Sequence, residues 1–146
     1  MKLQAVLVLL LLSLPLKAEP PKSPDAKDEL KKFQGVWIIS VAEQDGRKGT
    51  TEDGKWVFEG DKSTLKIGTQ VEESVAKLDP AKSLKWIDLE VTSGKNKGQT
   101  YHGIYKFVDD ELLLCFPKDT KAERPTEFSG NLGNGQALTV LKRKKE

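Results

Sequence analysis

The chain has 146 residues, 32% of them charged and 37% hydrophobic, with 24 basic against 22 acidic side chains. That length fits one domain, and the cations are spread along the chain, clustering only at Lys142-Arg143-Lys144-Lys145, rather than forming the basic stripe that a nucleic-acid binder requires. The excess of two sits at Lys2 and Lys17, so residues 19–146 carry 22 charges of each sign.

Residues 3–14 are almost wholly apolar after Met1-Lys2. Pro15 breaks the run and Lys17-Ala18-Glu19 turns polar. This is the order of a secretory signal peptide, with cleavage expected after Ala18. The run is shorter than the roughly 20 apolar residues of a membrane span, and no later stretch approaches that length. The expected organisation is a signal peptide over residues 1–18, a linker over 19–27 and one β-barrel domain over 28–146. The mature protein is expected outside the cytoplasm, periplasmic or secreted.

Pro20, Pro21 and Pro24 mark an extended segment. A short helix follows over residues 25–34, capped by Asp25 and stopped by Gly35, with Leu30 and Phe33 on one face. Such a helix is suited to cover one end of a barrel. From residue 36 the period changes to two. Residues 36–43 place Trp37, Ile39 and Val41 on one face. Gln44-Asp45-Gly46-Arg47 is a turn, and residues 47–54 read as a loop. Strands are expected over residues 55–59 (Trp56 and Phe58 sharing a face), 64–67, 70–78, 84–91, 101–107 and 112–116. Asp79-Pro80 ends the third of these, because proline has no N–H for a ladder. Tyr101, Gly103, Tyr105 and Phe107 share one face of residues 101–107. Residues 117–125 form a polar loop, 126–129 a short strand around Phe128, 130–135 a glycine-rich turn, and 137–143 the last strand.

Eight or nine short strands at spacings near ten residues, with one helix, point to an all-β barrel or sandwich. A Gly35-Val36-Trp37 entry to the first strand and Lys142-Arg143-Lys144 at the end of the last favour the barrel. In that reading Gly35, Trp37 and Arg143 are structural, with the cation capping the indole of Trp37. The run 112–116 is apolar on both faces. Its outer face needs cover from the helix, a loop or a second subunit, so a monomer and a weak homodimer both stay open.

Few residues carry chemistry. Cys115, the only cysteine, cannot form an internal disulfide and reads as a buried apolar residue. His102, the only histidine, has the opposite parity from Tyr101 and Tyr105 and is expected to face outward. With one His and one Cys there is no zinc spacing, and no nucleophile–base motif is present. No catalytic residue, metal or cofactor is therefore expected, and the chain is read as a non-enzyme. Asp88 reads as an outward carboxylate paired across strands. The candidate ligand-binding residues are Trp56, Phe58, Tyr101, Tyr105 and Phe107 as an aromatic lining, with Arg124 as a clamp at the mouth. The same aromatics would equally make a packed core, and Arg124 would equally tie its loop to a strand end.

The opening Leu30-Lys31-Lys32-Phe33-Gln34-Gly35-Val36-Trp37 is similar to the pattern L-x-x-L-Q-G-x-W. Leu78-Asp79-Pro80, Ile87-Asp88-Leu89, Gly103-Ile104-Tyr105 and Arg124-Pro125-Thr126-Glu127-Phe128 add to it. In order and spacing, over about residues 28–143, this set resembles an uncharacterised small exported domain family abundant in planctomycete bacteria and grouped with lipocalin-like barrels. The resemblance implies a lipocalin-like antiparallel up-and-down barrel of about eight strands and no established activity. The chain departs from that family at Ser74-Val75-Ala76, where an aromatic residue is usual, so another side chain fills the space or a cavity remains. The function expected is non-catalytic binding of a small apolar or amphipathic ligand inside the barrel. The alternative is a packed module that binds a protein or envelope partner through its surface.

Overall fold

The computed structural model describes residues 25–51 and 53–145; the expected signal peptide and residues 19–24 of the linker lie outside the described residues. Helix α1 (Ala26–Phe33) precedes nine strands: β1 (Gly35–Gln44), β2 (Arg47–Gly49), β3 (Lys55–Glu59), β4 (Lys62–Ile67), β5 (Gln70–Asp79), β6 (Trp86–Ser93), β7 (Thr100–Val108), β8 (Glu111–Pro117) and β9 (Gln136–Arg143). Eight of them pair antiparallel in chain order, and β9 returns to β1 over Trp37↔Arg143 to Gln44↔Ala137, closing an up-and-down barrel. Short β2 is the extra strand, on the outer half of β1. Among the described residues, no helix is long and apolar enough to cross a membrane.

Closure rests on the pair expected from the sequence. The guanidinium of Arg143 lies 4.3 Å from the centre of the Trp37 ring, and Trp37 is 2% exposed. Arg143 also donates to the carbonyls of Lys32 and Gln34, and Trp37 Nε1 donates to Phe33 O at 2.7 Å. These carbonyls end α1 and would otherwise lack partners. One cation and one indole thus tie the helix to the first and last strands. Gly35 has φ +114°, and a Cβ there would stand 3.2 Å from Arg143 Nη1, so the turn from helix to strand requires glycine at this point.

Three local expectations change. First, Val41 does not share the face of Trp37 and Ile39. The β1–β9 register shifts between Ile39 and Val41, a bulge that turns Val41 outward and brings Ala42 against the core. Second, residues 47–49 are a strand, because Asp45 and Gly46 (φ 53° and 73°) make a two-residue turn that pairs β2 with β1 at once. Third, residues 126–129 form no strand. Both edges of β8 are already taken by β7 and β9, so this segment finds no ladder to join. Instead it crosses the outside of β8, with the carbonyls of Glu127 and Ser129 close to Cys115 Sγ. This strap is the cover that the outer face of β8 requires.

Candidate functional site

The interior of the barrel is a packed core. Phe33, at the end of α1, enters it with no exposed surface. Its ring meets Phe58, Tyr105 and Phe107 edge-on, at centroid distances of 5.1, 5.0 and 5.1 Å. Trp56 stacks on Phe58 and Phe116, both at 6.2 Å, and its Nε1 donates to buried Ser63 Oγ at 2.9 Å. Ala76 is itself buried in this cluster.

The six residues expected to bind ligand are therefore not one site. Trp56, Phe58 and Tyr105 are sealed core residues. Tyr101 is half-buried near the open end, where its ring meets Phe116. Burial pushes its phenol upward, with Glu72 and Asp119 adding to the shift. Phe107 is half-buried at the opposite, helix-covered end. Arg124 is not at a mouth at all. It lies on the outer wall, where Nη1 donates to Gly103 O at 2.7 Å, Nη2 pairs with Asp88 at 2.8 Å and the guanidinium sits 4.1 Å from the Trp86 ring centre. Residues of a regular strand alternate sides, but a loop residue carries no such signal, so spacing could not place Arg124.

Asp88 also meets His102 Nδ1 at 2.9 Å. His102 faces outward, as its parity implied. A carboxylate orienting an imidazole is half of a general-base arrangement, but the third member of this cluster is Arg124, a donor that cannot act as a nucleophile. The cluster fastens the loop just before the strap to β6 and β7. Cys115 is buried beneath the same strap, and burial pushes its thiol upward, which lowers the share of reactive thiolate.

Sequence reasoning missed Glu29. An acid with Lys32 three residues on reads as a surface helix pair, yet the Glu29 side chain has no exposed surface. Its carboxylate meets Lys85 Nζ at 2.8 Å and Lys32 Nζ at 2.9 Å, and it accepts from the Tyr105 hydroxyl at 3.2 Å. The available signal was helical: Glu29 lies four residues before Phe33, so the two share a face. Burial pushes the Glu29 carboxyl upward, but the hydrogen bonds and charges of Lys85 and Lys32 outweigh it and hold the group below the usual glutamate range. Burial, with the Glu29 charge, drives the Tyr105 phenol far upward, so it stays a neutral donor.

A folded value below the unfolded one makes the Glu29 contribution complete above about pH 4.3 and progressively lost as the pH falls through the lowered value. Urea midpoints measured across acid pH are expected to fall more steeply for the native chain than for Glu29→Gln. Parallel curves for the two would show that the carboxylate does not hold the helix down.

Among the described residues, concavities open at both ends of the barrel. One, of about 280 Å³, lies at the open end between the β4–β5 turn and the β6–β7 loop. Leu65, Ile67 and Val71 form its apolar side, and Glu72, Lys95 and Asn96 its polar side. The other, of about 1010 Å³, lies at the helix-covered end. Phe107 and Trp37 are its apolar floor, α1 and β9 with the tail after it contribute Lys32, Arg143, Lys144 and Lys145, and the β7–β8 turn contributes Asp109 and Asp110. No protein-family model, no curated protein and no solved structure matches the chain.

Proposed function

We propose that this protein is a non-catalytic binding module, exported after removal of residues 1–18, whose barrel is a packed scaffold and whose partners are proteins or envelope components held at its surface. The observation that carries this reading is the filled interior. Phe33, Trp37, Trp56, Phe58 and Tyr105 are each at most 6% exposed and pack on one another, so a ligand inside the barrel would first have to displace a core residue. The pairing of the single histidine with Asp88 and Arg124, and the burial of the single cysteine, support the non-catalytic part. The lipocalin-like resemblance is compatible with this reading, since the interior of an eight-stranded barrel is narrow enough for side chains to fill.

A second reading is favoured by one observation. The open-end concavity, about 280 Å³, is close to the lower bound of small-molecule sites, roughly 300 Å³. Leu65, Ile67 and Val71 would hold a short apolar chain there without entering the core. Native mass spectrometry of protein purified from its own source separates the two. A surface module is expected to appear at the mass of the chain from residue 19 onward, with no bound small molecule. A stoichiometric added mass that persists through buffer exchange would replace the first reading with the second.

A further inference from the structure

The helix-covered cleft is built from two walls of opposite charge. Asp109 and Asp110 come from the β7–β8 turn, and Lys144 and Lys145 from the tail after β9. Among the described residues, none of these four forms an ion pair. The neighbouring cations are already engaged: Lys32 with Glu29, Arg143 with helix carbonyls, and Lys142 with Glu111 at 3.7 Å. The acidic wall is a hairpin tip, and it carries Val108, one of the few exposed large hydrophobic side chains, 42% exposed. Half-buried Phe107 lies on the floor between the walls.

A surface with an acidic and a basic wall on either side of an apolar floor is complementary to itself. Rotated by a two-fold axis, the acidic wall of one copy faces the basic wall of the other, twice over, and the contact closes. We propose that this cleft pairs two copies of the chain, with Asp109 and Asp110 of each copy against Lys144 and Lys145 of the other over Phe107. This rests on the surface-module reading and names one partner for that surface. The lining surface of this cleft is smaller than the roughly 1,200–2,000 Å² of a stable interface, and the charged side chains of its two walls are exposed. The pair is therefore weak, concentration-dependent and salt-sensitive.

Sedimentation of the mature chain, residues 19–146, tests this. At low salt the sedimentation coefficient is expected to rise with concentration toward about 1 mM, and the rise is expected to vanish in about 1 M salt, where charges are screened within roughly 3 Å. The variants Asp109→Asn/Asp110→Lys and Lys144→Glu/Lys145→Glu, all at exposed sites, are each expected to stay monomeric. An equal mixture of the two is expected to associate again, because both contacts in the mixed pair then join unlike charges. An uncharged apolar pairing would survive both variants and high salt, and would overturn the proposal. A chain that stays monomeric at low salt to the same concentration would also overturn it, while leaving the surface-module reading to the mass measurement, which reads the interior and not this cleft.

Discussion

Phe33→Ala is expected to lower stability by about 3–5 kcal/mol, the range for removing a buried aromatic side chain. The loss is large against a total of about 5–15 kcal/mol for a domain. It comes from a single helical residue because that residue fills the covered end of the barrel. Phe33 has no exposed surface and touches the rings of Phe58, Tyr105 and Phe107. Those three rings belong to β3 and β7, which the ladder holds in place, so the space left behind cannot close freely. The variant should therefore also gain an apolar cavity that stays dry and admits a small hydrocarbon or xenon. Urea unfolding gives the first quantity, and a xenon-induced shift of the core resonances gives the second. A cost below about 1 kcal/mol would mean that α1 is an ornament on a barrel closed by other means. Xenon uptake by the native chain to the same extent would mean that the interior is not filled.

The second large effect is expected at Gly103, on the inner face of β7. A Cβ there would stand 2.4 Å from both Cδ1 and Cε1 of Phe116 and 2.8 Å from the carbonyl oxygen of Cys115. The ring of Phe116 lies over the bare glycine, a close approach that only glycine permits in a strand. Gly103→Ala is expected to cost about 1–3 kcal/mol through overpacking. Half-buried Phe116 can swing aside, but the Cys115 carbonyl belongs to the neighbouring strand and cannot. Gly103→Ala should accordingly cost less in a Phe116→Ala background, with a coupling of about 0.5–3 kcal/mol in a double-mutant cycle. A cost unchanged by removal of the ring would assign the whole effect to the carbonyl. No cost in either background would contradict the placement of Phe116.

Much of this architecture was legible in the chain. Alternation in Trp56 and Phe58, and in Tyr101, Tyr105 and Phe107, marked inner faces that the barrel does bury or half-bury. Gly35, Trp37 and Arg143 marked the closure. The strand expected at residues 126–129 failed because a β-rich segment needs an open edge as well as a suitable sequence. The bulge between Ile39 and Val41 carried no local mark, since neither Pro nor Gly signals it, and Ser40 instead directs its hydroxyl to Val140 O at 3.1 Å. The clamp reading of Arg124 failed and Glu29 was missed for one shared reason. Each is held by partners distant in the chain: Arg124 by Asp88, and Glu29 by Lys85 and Tyr105.

What the order of residues determined alone was the set of elements, their inner faces and the meeting of the last strand with the first. These follow from backbone period, turn chemistry and one indole–guanidinium pair, all of them short-range or two-body properties. Only the tertiary structure decided whether the aromatic rings enclose a space or occupy it. Interior volume is what remains after side chains from eight strands and a helix have claimed their share, and no window of the sequence holds that sum. Phe33, arriving from outside the sheet, tips it to a filled barrel.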